Sequence, residues 1–258
     1  MNSSKKISIV IPVYNEAENI KKTLTQLVSF STLIQEIIIV YDFDTDTTVP
    51  VVKAIITEYP FPLRFVKNKY GQGALNAIKT GLNHVLAEAV VVVMADMADD
   101  LAVLPHMIDE YNQGADVVCG SRYMPGGKQI GGPFLKGLMS RVAGLSLYYL
   151  TQLPTRDITN SFKLYRTHLL RSITIESTGG FELGMEITAK AFLQGAVIKE
   201  VPSVWTDRTA GESRFKLWSW LPHYIYWYLL LMIKRGPVFI VVQAGKRWIG
   251  FIKNGATS

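Results

Sequence analysis

Two β-branched runs constrain this chain more than any other feature: Glu36-Ile-Ile-Ile-Val-Tyr-Asp42 and Val90-Val-Val-Val-Met-Ala-Asp96, each closing on an aspartate. Continuous apolar runs of this length read as strands buried on both faces, as in a parallel sheet covered by helices. The texture recurs. Strands are expected at 7–11, 36–41, 63–66, 90–94 and 116–119, with helices between them at 17–30, 49–59, 74–87 and 104–113. A βαβα order implies right-handed crossovers and helices on both faces. Gly114 fits a helix stop. In such a sheet, residues just beyond the carboxyl ends of strands line the ligand crevice. Asp42 and Asp96 are therefore expected there, as candidates to hold a nucleotide and its metal.

After residue 120 the texture changes. Ser121-Arg-Tyr-Met-Pro-Gly-Gly-Lys opens a glycine-rich basic loop, followed by an expected helix at 138–150. A short strand at 163–165, a helix at 184–193 and a strand at 197–201 complete the pattern. A length of 258 residues suits one large α/β domain or two small ones. The single cysteine, Cys119, excludes an internal disulfide framework and fits a reducing compartment. Behind Val117-Val118 it reads as a buried structural thiol. The N-terminal Met-Asn-Ser-Ser-Lys-Lys carries no signal-peptide pattern.

The net charge of +6 is concentrated at one end. No Asp or Glu follows Glu212, whereas Arg214, Lys216, Lys234, Arg235, Lys246, Arg247 and Lys253 do. Within this tail, 217–233 is apolar and rich in Trp and Tyr. As a helix it would span about 25 Å, short of a hydrocarbon core about 30 Å thick, and Pro222 and His223 interrupt it. Trp and Tyr favour the headgroup level, and each basic residue near an anionic leaflet contributes roughly 1 kcal/mol. The expectation is a tail, 217–258, that lies on an anionic membrane surface; burial in a homo-oligomer interface is the alternative. The basic residues sit within a hydrophobic tail and no nucleic-acid-binding motif is present, so nucleic acid is not an expected partner.

Three stretches carry candidate chemistry. The first strand runs into Ile11-Pro-Val-Tyr-Asn-Glu16, where Asn15 is expected to cap the following helix. The second runs into Asp42-Phe-Asp44-Thr-Asp46, an acidic loop. The third is followed by Asn68-Lys-Tyr-Gly-Gln-Gly73-Ala, whose glycines open a helix and allow close approach of a phosphate or sugar. A dinucleotide fingerprint would need Gly-x-Gly-x-x-Gly after the first strand, and position 76 is Asn. Glu182 and Glu186, four apart on an expected helix, either face an acceptor or sit at a helix start or on the surface. The four histidines show no metal-ligand spacing.

In order, Ile-Pro-Val-Tyr-Asn-Glu16, the Asp42 loop, Gly71-Gln-Gly-Ala, the Asp96 turn and Gly120-Ser-Arg-Tyr resemble family 2 glycosyltransferases of the GT-A fold. Asp157-Ile-Thr-Asn-Ser-Phe, Glu200-Val-Pro and Asp207-Arg-Thr-Ala-Gly-Glu-Ser-Arg-Phe resemble the polyprenyl-phosphate (dolichol-phosphate mannose synthase-like) branch. The resemblance implies a Rossmann-like, mostly parallel α/β domain over 1–216, with a nucleotide-binding half (1–120) and an acceptor half (121–216), before the hydrophobic helical tail. It implies an inverting transfer of sugar from a nucleotide-sugar to a polyprenyl phosphate at the cytoplasmic face of a membrane. Pro12, Tyr14, Glu16, Asp42 and Gly73 would contact the nucleotide. Asp96, with Asp99, would hold a divalent cation, Mg²⁺ or Mn²⁺. Arg122, Arg208, Ser213 and Arg214 would bind the phosphates, with Asp96, Arg122 and Arg208 central to catalysis.

The chain departs from the family pattern where Ala95 replaces the first acid of Asp-x-Asp, Ala98 follows two residues after Asp96, and Tyr41 stands for an acid. Asp99 and Asp100 also read as a solvated helix start. Two other functions stay open: transfer onto a sugar hydroxyl in a surface polysaccharide, and non-catalytic binding of a nucleotide-sugar or lipid.

Overall fold

A computed structural model of the chain describes residues 6–207 and 217–237. Its core is a seven-stranded sheet in the order β3 (Leu63–Lys67), β2 (Ile34–Tyr41), β1 (Ile7–Val13), β4 (Ala89–Val92), β7 (Lys163–Arg166), β5 (Val117–Ser121), β8 (Ile198–Pro202). The strands β1 to β5 coincide with the apolar runs and are almost wholly buried along β1, β4 and β5. β1 lies between β2 and β4, all parallel, with Val10 opposite both Ile38 and Val92. β7 runs antiparallel between β4 and β5, and β8 closes the edge parallel to β5.

Helices cover both faces, as the βαβα order requires. α1 (Ile20–Val28), α2 (Thr48–Ile55) and α4 (Leu104–Asn112) contribute to one apolar cluster, and α3 (Ala74–Leu82) and α7 (Leu183–Leu193) to the other. α4 stops two residues before Gly114. α1 starts later than expected, and Asn15 is not its cap. Asn15 takes a left-handed φ of 54° and accepts a hydrogen bond from the Thr47 amide at 3.1 Å, joining the loops after β1 and β2. Cys119 is buried and its thiol is pushed up to about 11 by burial, an inert group.

Elements with weak sequence signals complete the part of the domain after residue 120. β6 (Lys128–Ile130) and β9 (Val204–Thr206) form a small parallel pair, and α6 (Thr167–Ser172) follows β7. α5 (Phe134–Thr151) and α8 (Leu217–Arg235) pack side by side, joined by a Ser146–Tyr228 hydroxyl contact at 3.1 Å. α8 continues through Pro222. Both helices leave apolar side chains exposed on one face: Leu138, Val142 and Tyr149 on α5, and Tyr226, Leu229 and Ile233 on α8. Among the described residues no helix is long and apolar enough to cross a membrane.

Candidate active site

The carboxyl ends of β1, β2 and β4 open into a cavity of about 1700 Å³ that continues between α5 and α8. Single small-ligand pockets run to roughly 300–1,000 Å³, so this volume has room for two ligands side by side. Pro12, Tyr14, Glu16, Asp42 and Gly73 line it beside the strand ends, as do Asp96 and Asp99, and Asp99 feels the charges of both Asp96 and Arg122.

In the loop after β2 the three alternate acids separate by role. Asp46 is buried and accepts the amides of Asn15 at 3.0 Å and Thr48 at 2.8 Å, so it shapes the two loops. Asp44 forms an exposed pair with Lys67 at 2.6 Å. Asp42 alone lines the cavity. Its oxygens accept from Asn68 Nδ2 at 2.7 Å and from the Gly73 amide at 2.8 Å, tying β2 to the glycine loop. Gly73, with φ of 120°, holds a conformation that a side chain would strain. A carboxylate offers about four acceptor positions, so Asp42 keeps capacity for a ligand hydroxyl while fixing the loop. Glu16 receives Asn19 Nδ2 at 3.0 Å, and the Tyr14 ring meets Phe43 edge to face at 5.3 Å.

The turn after β4 is fixed from two sides. Asp96 Oδ1 accepts the Ala98 amide at 3.1 Å, with Met97 at a left-handed φ of 58°. From β9, the Thr206 amide donates to the Ala98 carbonyl at 2.9 Å, and the Val204 carbonyl accepts from the Asp100 amide at 3.2 Å. The solvated-start reading holds for Asp100, which caps the 3-10 turn Leu101–Val103. It fails for Asp99, which is 8% exposed and lines the cavity. Burial, then the charge of Asp96, pushes the Asp99 carboxyl up to about 7, against the pull of Arg122 and Lys163.

Such a repulsion is one that a bound cation relieves. Magnesium commonly takes one or two carboxylates and completes its shell with phosphates and water, so Asp96 and Asp99 fit a divalent ion carried with a diphosphate. Among the described residues there is no cluster of three or more His, Cys, Asp or Glu that could hold a metal alone. Ala95 is 2% exposed, packs in the core and does not line the cavity, whereas Ala98 does.

The part of the site after residue 120 is built on a buried ion pair. Arg122 donates through Nε to Asp157 Oδ2 at 2.7 Å and through Nη2 to Oδ1 at 2.9 Å, a bidentate geometry. Nη2 also reaches Ser140 at 3.0 Å and Thr159 at 3.1 Å. Burial pushes Asp157 up, but Arg122 outweighs it and holds the carboxyl below the usual range. Lys163, fully buried, donates to the carbonyls of Ile158 and Asn160 and so holds the Asp157 loop from beneath. Glu200 pairs with Arg156, one residue before Asp157. Arg208, Ser213 and Arg214 lie outside the described residues; Asp207, just before them, lines the cavity.

Glu182 and Glu186 are fully buried, line neither the cavity nor the surface, and stand at a helix start, Glu182 as the N-cap of α7 and Glu186 in its first turn. Glu186 accepts the amides of Glu176 and Ser177 at 2.6 and 2.8 Å, and Glu182 those of Gly179 and Gly180 at 2.7 and 2.6 Å. Together they staple the loop before α7. Ser140, Thr159, Lys163 and Tyr224 were not singled out by the sequence. Only Lys163, a cation in an apolar strand run, carried a signal that could have found it.

Comparisons with known proteins agree with this geometry. The profile of glycosyl transferase family 2 matches residues 8–174, more than half of the chain. A dolichol-phosphate mannosyltransferase of Pyrococcus furiosus is 28% identical over 216 residues, covering 82% of this chain; the chain spans 59% of that relative's length. A polyprenol monophosphomannose synthase of Mycolicibacterium smegmatis is 28% identical over 213 residues, covering 80% of this chain and 79% of that protein. Among solved structures, glucosyl-3-phosphoglycerate synthase from Mycobacterium tuberculosis, in complex with Mn²⁺, uridine diphosphate and glucosyl-3-phosphoglycerate, superposes with a TM-score of 0.63. Its identity is 18%, and the match covers 90% of this chain and 80% of that one. The same enzyme with phosphoglyceric acid gives a TM-score of 0.65 at 18% identity, over 88% and 80% of the two chains. With its fold and profile in agreement, the chain belongs to glycosyl transferase family 2 and has the GT-A architecture.

Proposed function

We propose that this enzyme transfers a sugar from a nucleotide-sugar to a polyprenyl phosphate, with inversion, at the cytoplasmic face of a membrane. The observation that carries this reading is the change of character along one cavity. Carboxylates and a glycine loop line it at the strand ends; Arg122 is hydrogen-bonded to Ser140 of α5 and to Thr159; Leu138, Val142, Leu221 and Ile225 of α5 and α8 line the rest. A phosphate head on an apolar chain suits that sequence of surfaces, and the names of the two sequence relatives support it.

In the mechanism, Pro12, Tyr14, Glu16 and Asp42 hold the base and ribose, and Asp96 with Asp99 would hold a divalent cation. Charge on the departing diphosphate would be neutralised there by the bound ion. Arg122, with Arg208, Ser213 and Arg214, positions the acceptor phosphate. A sugar hydroxyl would need a base to take its proton. A phosphate is already anionic, so positioning and charge stabilisation suffice. The staple role of Glu182 and Glu186 favours this: both carboxylates are engaged by backbone amides and neither stands as a free base.

The exposed apolar faces of α5 and α8, with Val142 58% and Ile233 69% exposed, would rest in the interface, and Lys234 and Arg235 end α8 with positive charge. Sedimentation with anionic vesicles separates membrane docking from coverage of this face by a second copy. The test of function is a screen of GDP- and UDP-sugars with a short polyprenyl phosphate, with and without Mg²⁺ or Mn²⁺. Metal-dependent transfer to the phosphate is expected; transfer only to simple saccharides would reject the reading.

A further inference from the structure

α8 is seated against the catalytic domain on two glycines. Because Glu182 holds both amides, Gly179 and Gly180 present bare backbone to the helix. A Cβ on Gly179 would come within 2.6 Å of His223 Cδ2, and one on Gly180 within 2.9 Å of the Trp220 ring. Phe181 meets Trp220 edge to face at 5.6 Å. Further along, Trp227 and Leu231 are buried in the core cluster behind the sheet. Close approach at both points fixes the rotation of α8, and it turns Tyr224, between them, into the cavity that Arg122 lines.

The surroundings of that phenol are informative. Burial raises it furthest, the Glu182 carboxylate raises it further and the Arg122 guanidinium lowers it, so the hydroxyl stays neutral and able to donate. Glu182 is already engaged by two amides, and the phenol makes no hydrogen bond among the described residues. A neutral donor facing a cavity beside a guanidinium is complementary to an anion.

We infer that Tyr224 is a phosphate-binding residue of the acceptor half, its O–H donating to the same phosphate that Arg122 positions, so that α8 completes the site. This rests on a polyprenyl phosphate acceptor. The helix that offers its other face to the membrane thereby supplies a direct contact to the reacting head group, and the Gly179–Gly180 seat sets the depth of that contact.

The test compares wild type with Tyr224→Phe, which removes one oxygen and leaves the packing intact. Acceptor binding is read from tryptophan fluorescence with a short polyprenyl phosphate and with the matching polyprenol, beside steady-state kinetics. A lost hydrogen bond to a charged group corresponds to about a tenfold weakening or more. The expected result is that loss in acceptor Kd and KM, with donor KM, kcat at saturating acceptor and polyprenol binding unchanged. Acceptor constants within twofold of wild type would overturn the inference, as would an equal loss for polyprenol. Gly180→Ala, which displaces Trp220, is expected to weaken acceptor use in the same direction; unchanged acceptor use there would overturn the seat. If wild type ignores polyprenyl phosphate while transferring sugar elsewhere, the functional reading fails and takes this inference with it.

Discussion

The two halves of the cavity are held together in different ways. In the nucleotide half, carboxylates at strand ends accept backbone amides of neighbouring loops: Asp46 from Asn15 and Thr48, Asp42 from Gly73, Asp96 from Ala98. Each bond is spread over rigid loops that a parallel sheet already places. In the acceptor half, a single buried pair, Arg122–Asp157, carries the arrangement, braced by Ser140, Thr159 and Lys163. The first half distributes its order, whereas the second concentrates it. The nucleotide half should therefore lose function without losing its fold, and the acceptor half should lose both together.

The largest effect is expected from Asp96→Ala. Removing this proposed cation ligand should lower transfer by about 10³-fold, of the order seen when a key electrostatic group is removed, with the melting temperature little changed. A kinetic assay beside a thermal melt checks both parts. Asp157→Ala should instead leave a buried guanidinium unpaired, at a cost of about 3–5 kcal/mol in stability, measured by denaturant unfolding. A protein of wild-type stability would break the contrast between the halves.

The same pair has a pH signature. Because the Asp157 carboxyl is held below its usual value, its contribution is fully present above the unfolded pKa near 3.9. It is lost as pH falls through the depressed folded value. Acid unfolding of Asp157→Asn should lack that component. A smaller effect is expected from Asp42→Asn. Weakening one ligand contact and the tie to Gly73 should raise donor KM by about tenfold, with acceptor KM unchanged. Asp44→Asn, in a pair open to solvent, should change neither activity nor stability measurably.

Legibility in the sequence followed the same division. The strands from β1 to β5 announced themselves as β-branched runs, and Asp42 and Asp96 were found because they end such runs. Asn15 was misread because a cap and a loop tether use the same side chain; only the left-handed backbone at Asn15 separates them. β6 and β9 are three residues each, Lys-Gln-Ile and Val-Trp-Thr, and their pairing joins segments distant in sequence that no local period reveals. Glu182 and Glu186 showed an i,i+4 spacing but not the loop that wraps them. Tyr224 was hidden in an aromatic tail whose composition spoke of membranes, and its place in the cavity depends on the glycine seat.

The proposed mechanism turns on the passage of sugar to a lipid phosphate. Its most direct measurement is the partition of labelled sugar from a nucleotide-sugar into an organic phase, with polyprenyl phosphate and polyprenol compared side by side. Metal-dependent label is expected in the organic phase with the phosphate alone, released by mild acid. Label that appears equally with polyprenol, or only on saccharide hydroxyls as an acid-stable product, would contradict it.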